Sequence, residues 1–312
     1  MHLTPHLPVK YGFDVSNPPQ VPKSAQNEGH FFPSFDNRLW MMYRLWEPAA
    51  GADVKATLLI IHGTVDHSGV YRELADKLTS QGIAVVAMDM RGWGLSDGES
   101  MYFHDVETFV QDVVSVYKRV HDLPRYQSVS KRFLLGKSLG GLVAAYAARD
   151  HPEFWSGLLG LSGAYELDST VTPPSFVVKM LGLVAYFVPK MPFKKLFDEH
   201  LIVSDEAALQ AWREDELCCK DQLRLGYGLE IYRASKALPD QVASKLNLAM
   251  LMMIGDQDQV VMKSGHEMMV EKNQHADKQL KVYPGGRHNL LQEPTLKESV
   301  MKDIIDWILA RA

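Results

Sequence analysis

Short apolar runs recur along this chain, each followed by a stretch of helical periodicity. The runs are residues 57–61 (TLLII), 83–88 (IAVVAM), 132–135 (RFLL), 157–161 (GLLGL), 247–254 (NLAMLMMI) and 280–283 (LKVY). Between or after them lie an amphipathic stretch over 70–81 that stops at Gly82, helical spacing over 103–121, a small-residue stretch over 139–149, and helical patterns over 263–273 and 295–310. A strand without polar alternation must be covered on both faces, and parallel strands need a crossover, usually a helix. The pattern therefore predicts an α/β fold: a mostly parallel central sheet with helices on both faces. Ahead of it, Asp36-Asn37 between two aromatic runs predicts a hairpin over 29–48. Residues 1–30 hold five of the 16 prolines and read as an extended or poorly ordered tail.

The rhythm breaks over 164–246, which has no convincing strand. It contains an apolar stretch at 176–188, an acidic helix over 205–216 and another helix over 222–234. This block reads as a helical cap inserted into one sheet domain. The expected division is a tail at 1–30, a core at 31–163, the insertion at 164–246 and the rest of the core at 247–312. The net charge of -5, from 33 basic against 38 acidic residues, leaves no footprint for nucleic acid. The two cysteines, adjacent at Cys218 and Cys219, form neither a disulfide framework nor a zinc-ligand spacing, and suit a reducing, intracellular setting. The first thirty residues show no secretory signal. The uncharged stretches 154–165 and 180–189 fall well short of the ~20 residues a membrane-spanning helix needs. The sequence specifies no oligomeric state.

Chemistry concentrates at Gly136-Lys137-Ser138-Leu139-Gly140, directly after the 132–135 run and before the small-residue helix. This is G-x-S-x-G in its strand–turn–helix setting, where a serine on a sharp turn is exposed as a nucleophile. Gly136 and Gly140 leave room for the turn. A serine nucleophile needs a base, and the base an orienting acid. His288, in the loop just past the last strand, is the candidate base. Gly255-Asp256-Gln257-Asp258 ends the preceding strand, and on the residues alone either aspartate could face His288. The order Ser…Asp…His is that of α/β-hydrolases. The oxyanion of acyl transfer needs two backbone donors: the N–H of Leu139, and that of Thr64 in the loop Ile61-His62-Gly63-Thr64 after the first sheet strand. His62 is expected to support that loop by hydrogen bonding.

Five motifs in register give the chain a resemblance to α/β-hydrolases of the monoacylglycerol lipase / serine aminopeptidase S33-like group. Residues 62–71 (HGTVDHSGVY) resemble H-G-x-G-E-H-S-x-R-Y, and residues 89–98 (DMRGWGLSDG) resemble D-x-R-G-H-G-x-S-x-G. Residues 136–141 resemble G-H-S-M-G-G, 255–258 the acid loop G-x-x-D, and 283–288 the histidine loop Y-x-x-x-x-H. The resemblance spans roughly residues 30–312. It implies that Asp258 is the acid, that Thr64 and Leu139 supply the oxyanion donors, and that the insertion roofs an acyl-binding tunnel. It further implies hydrolysis of single-chain lipid esters, monoacylglycerols first, without a metal or organic cofactor. A lysophospholipase, a general carboxylesterase, an acyltransferase and a weakly catalytic binding protein are the other readings.

Departures from the pattern are Val65 for a glycine, Asp66 for glutamate and Lys137 for histidine. Val65 stiffens the loop, and Lys137 is expected to point away into solvent. Val261 stands where monoacylglycerol lipases often carry a cysteine. In the insertion, residues 176–188 are apolar nearly all round, with Lys179 the only charge, and Lys190, Lys194 and Lys195 follow. The stretch suits plain packing, a tunnel lining, or peripheral contact with a membrane or lipid droplet from the cytoplasm. The methionines near 250–269 read as core, and the two cysteines as a free, buried pair.

Overall fold

The computed structural model describes residues 29–194 and 199–312. The tail expected at 1–30 therefore lies outside the described residues, apart from Gly29 and His30, which open the first strand.

β1 (Gly29–Pro33) and β2 (Trp40–Trp46) form the expected hairpin, turning through Asn37 at φ 54°. The alternating units follow: β3 (Ala56–Ile61), α1 (Arg72–Thr79), β4 (Ile83–Asp89), α2 (Val106–His121), β5 (Arg132–Lys137), α3 (Leu139–Asp150) and β6 (Gly157–Leu161). The insertion carries α4 (Ser175–Phe187), β7 (Pro192–Lys194), α5 (Glu206–Glu214), β8 (Leu223–Arg224) and α6 (Leu225–Gln241). The chain closes with β9 (Ala249–Gly255), α7 (Lys263–Lys272), β10 (Lys278–Tyr283) and α8 (Lys297–Leu309). Eight strands form one sheet in the order β1-β2-β4-β3-β5-β6-β9-β10. β2 runs antiparallel to β4, and every pairing from β4 to β10 is parallel.

The continuous apolar runs are explained by two cores, one on each face of the sheet. Alternate residues of a strand point to opposite faces. Leu59 and Ile61 of β3 pack with Phe109 of α2 and Leu142 of α3. Their neighbours Leu58 and Ile60 pack with Leu74 of α1 and Ile304 of α8. α2 is capped by Asp105, whose carboxylate accepts the Thr108 N–H at 2.8 Å, and α5 by Asp205 in the same way. Such side-chain acceptors satisfy backbone donors that have no partner within the helix.

Two expectations for the insertion need correction. It does contain strand: β7 and β8 pair antiparallel. Runs of three and two residues, the first beginning at Pro192, are too short for any periodicity to register. The helix expected to end near Ala234 continues through Pro239 to Gln241. Leu238 is fully buried, and this packing overrides the local break. Among the described residues no helix is long and apolar enough to cross a membrane.

Candidate active site

Ser138 sits between the last residue of β5 and the first of α3 with φ 52° and ψ −119°. Left-handed backbone is strained for a residue with a Cβ, and it persists only where the surroundings enforce it. Here two flanking glycines make room. A Cβ on Gly136 would lie 2.2 Å from the Gly140 carbonyl oxygen, and one on Gly140 would lie 2.1 Å from that of Ile61. The Leu139 N–H falls in the first turn of α3, where backbone donors lack an intrahelical partner.

The loops after β9 and β10 bring the other two side chains to this turn. His288 Nε2 lies 2.9 Å from Ser138 Oγ, and His288 Nδ1 lies 2.9 Å from Asp258 Oδ2. All three residues have little or no exposure at their reacting atoms. The second Asp258 oxygen accepts the N–H groups of Val260 at 2.8 Å and Val261 at 3.1 Å. Burial pushes the Asp258 carboxyl up, but His288 and those two N–H groups outweigh it and hold it below its ordinary value. Asp256, the alternative acid, is exposed and accepts the Gly285 N–H at 2.7 Å, so it shapes the turn. Of the two aspartates that sequence alone left open, Asp258 is the one that faces His288.

The loop carrying Thr64 is held from several directions. The Met90 N–H donates to His62 Nε2 at 3.0 Å, which leaves the ring proton on Nδ1 to donate to Gly63 O at 2.7 Å. Burial lowers the His62 pKa and keeps the ring neutral. Both His62 ring nitrogens are thus engaged with backbone groups, one of them in the Thr64 loop. Trp93 Nε1 donates to Thr64 O at 2.6 Å, and Trp212 Nε1 donates to Val65 O at 3.1 Å. Tyr227 OH lies 2.5 Å from Thr64 Oγ1. Val65 is buried and outside the left-handed region, so a β-branched residue fits there without backbone strain.

Lys137 differs from expectation. It is buried, and its Nζ lies 2.6 Å from Asp66 Oδ2. A lysine directed inward needs a partner, and the shortened acid supplies it. Lys190 pairs with Glu99 at 2.7 Å and lies over the Tyr102 ring. Lys195 lies outside the described residues, as does the Lys194 side chain.

His67, Asp215 and Cys218 converge within 4.8 Å, a meeting no sequence spacing signalled. His67 Nδ1 accepts the Gly69 N–H at 3.1 Å, so its ring proton sits on Nε2 and faces Asp215 at 2.9 Å. The His67–Asp215 hydrogen bond makes the cluster a latch between loop and insertion. Both cysteines are free and buried, as expected, and burial raises both thiols.

Ser138, Thr64 and Leu139 face an open, mostly apolar cleft whose other wall comes from the insertion, including Leu167, Leu223 and Ile231. A second, apolar pocket shares Leu167, Val171 and Leu223 with it and extends to Val178 and Leu181 of α4. The apolar stretch therefore has two faces. Its inner side lines this pocket, while Phe176, Met180, Leu183 and Phe187 are 67–74% exposed.

A sequence profile of the family described as serine aminopeptidase, S33 matches residues 52–295, including every residue of the Ser138–His288–Asp258 array. The chain belongs to the serine aminopeptidase S33 family. Among S33-like relatives, mouse monoglyceride lipase is 27% identical over 305 residues, covering 96% of each chain. Monoacylglycerol lipase of Mycolicibacterium smegmatis is 29% identical over 276 residues, covering 86% of this chain and 93% of the relative. A soluble variant of Saccharomyces cerevisiae monoglyceride lipase, solved with a substrate analog, superposes with a TM-score of 0.80 at 21% identity, covering 97% of this chain and 99% of that one. That likeness shows the α/β-hydrolase fold. Within this S33 member, sequence reasoning missed Trp93, Trp212, Asp215 and Tyr227. Trp93 lies inside a recognised motif and could have been flagged. The other three reach the loop only through the folded insertion.

Proposed function

We propose that this protein is a serine hydrolase that cleaves carboxylic esters of single-chain lipids, monoacylglycerols first, with residues 164–246 serving as the cap. The observation that carries the reading is the Ser138–His288–Asp258 array opening onto an apolar cleft. Ser138 Oγ attacks the ester carbonyl as His288 Nε2 takes its proton. Asp258 holds the imidazole in orientation and stabilises the cation that forms. The Thr64 and Leu139 N–H groups receive the oxyanion, each worth about 3 kcal/mol in the transition state. The intermediate collapses, and His288 passes the proton to the departing alcohol. Water, activated by His288, then attacks the acyl-enzyme, releases the fatty acid and restores Ser138.

The apolar pocket adjoining the Ser138 cleft suits one acyl chain. The names of the mouse and mycobacterial relatives support a monoacylglycerol as donor. The outward apolar stripe of α4 supports peripheral contact with a membrane or lipid droplet, where such esters reside. The free cysteines suit the cytoplasm.

A hydrolysis panel tests the reading: monoacylglycerols of graded length, lysophosphatidylcholine, di- and triacylglycerols, p-nitrophenyl esters and amino-acid naphthylamides. Monoacylglycerols are expected to have the highest kcat/KM. Equal rates on lysophosphatidylcholine would remove the head-group preference, and naphthylamides turning over fastest would replace the esterase by an aminopeptidase.

A further inference from the structure

Two departures from the resembled motifs, Asp66 and Lys137, meet in space. They are 71 residues apart, and their side chains pair at 2.6 Å with at most 6% exposure each. Lys137 immediately precedes Ser138, and Asp66 lies two residues after Thr64. Between the two loops stands Gly63. A Cβ there would lie 3.2 Å from Ser138 Cβ, 3.3 Å from Asp66 Oδ2 and 3.4 Å from Lys137 Cδ. The Asp66 N–H donates to Gly63 O at 3.2 Å, closing a tight turn around Thr64. The charge pair therefore spans the seam between the turn that presents the nucleophile and the loop that presents an oxyanion donor.

We propose that Lys137 and Asp66 are positioning residues that fix the Thr64 N–H relative to Ser138 Oγ for ester hydrolysis. This rests on the hydrolase reading above. A buried charge that loses its partner is strongly destabilising locally, so each member holds the other in place. Oxyanion donors act only at the position where charge develops, and a shift of about 1 Å costs about 100-fold in rate. The titratable groups around the pair are His62 and His67 on the same loop, Tyr71 beyond it, and Cys218 from the insertion. Among the described residues Asp66 Oδ1 has no hydrogen-bond partner, so the Lys137 contact to Oδ2 is what orients the Asp66 side chain.

The test compares wild type, K137M, D66N and the pattern-restoring double variant D66E/K137H. Each is assayed for kcat and KM on p-nitrophenyl butyrate, for its pH profile, for fluorophosphonate labelling and for thermal unfolding. K137M and D66N are expected to lose about 100-fold in kcat with KM within about twofold. D66E/K137H is expected to recover most of that loss. Its kcat should also decline above neutral pH where that of wild type is expected to stay level, because histidine is the side chain that ordinarily titrates there. A purely structural pair would lower the melting temperature and leave that pH profile unchanged. The proposal is overturned if folded K137M keeps kcat within about threefold of wild type. If K137M does not fold, the double variant decides, and an alkaline pH profile identical to that of wild type overturns the proposal. A wild type that neither hydrolyses the ester nor takes the label refutes the hydrolase reading instead.

Discussion

The floor and the roof of the cleft are built from similar apolar sequence with opposite outcomes. β3 on the floor is apolar along its length and wholly buried. α4 in the roof is as apolar, yet only Ala185 is buried, and its largest side chains face outward. The difference is how many faces the neighbours cover. A central strand has helices above and below, whereas α4 rests on α6 through one side only, by way of Leu225 and Leu229. Hydrophobicity alone therefore does not distinguish a core element from an exposed one. Architecture does, and an exposed apolar stripe then carries a functional reading.

The comparison also separates rigid from adaptable parts of the site. The floor holds the nucleophile through backbone geometry and close-packed glycines. The roof reaches the Thr64 loop through single side chains, Tyr227, Trp212 and the Asp215–His67 latch. Substitutions in the floor should act on chemistry, and those in the roof on access and fine positioning.

The largest effect is expected on the floor. D258N should lower kcat by about 10⁴-fold by leaving His288 in the wrong tautomer, while D256N should stay within about threefold. Steady-state kinetics on one soluble ester measures both, and equal losses would undo the distinction between the two aspartates.

Next comes the seam where the core chain leaves for the roof. His266 of α7 accepts the Gly163 N–H at 2.9 Å, and burial holds its pKa down to about 4. The unfolded chain takes up this proton near 6.5 and the folded chain resists until about 4. The stability contribution is therefore complete above pH 6.5 and is lost as pH falls towards 4, by up to roughly 3 kcal/mol. Urea unfolding of wild type and His266→Gln at pH 7 and pH 4.5 checks this. A parallel loss in both proteins would show that His266 is not the source.

On the roof, L183S/F187S should lower turnover of a monoacylglycerol in anionic vesicles by about 1,000-fold, since two apolar side chains at about 2 kcal/mol each on burial contribute about 4 kcal/mol. Rates on p-nitrophenyl butyrate should stay within twofold. A uniform loss on both substrates would mean that the stripe only packs. The smallest effect is expected for Y227F, about fivefold in kcat, the size of one net hydrogen bond. A changed KM with constant kcat would move Tyr227 from loop support to substrate binding.

Most of the sheet was legible because β3, β4, β5, β6 and β9 are continuous apolar runs between helical periods, a pattern set by burial on both faces. The sharp turn at Ser138 was legible because it imposes a local glycine pattern, and the approach of His288 to it was legible from the order of the motifs along the chain. The choice between Asp256 and Asp258 was not local, since it depends on which side chain the β9 loop turns towards His288. The Lys137–Asp66 pair was misread because its members are 71 residues apart, so that Lys137 alone looked like a solvated charge. The β7–β8 ribbon is too short for periodicity, and the Tyr227 and Trp212 contacts exist only once the insertion folds back over the core.

The central claim is that Ser138 is acylated. Intact-mass and peptide-mapping analysis after reaction with a fluorophosphonate tests it most directly, on wild type and on S138A confirmed as folded by circular dichroism. One adduct on Ser138, absent from S138A together with a loss of about 10⁶-fold in ester turnover, is the predicted result. An adduct on another residue, or turnover and label persisting in S138A, would contradict it.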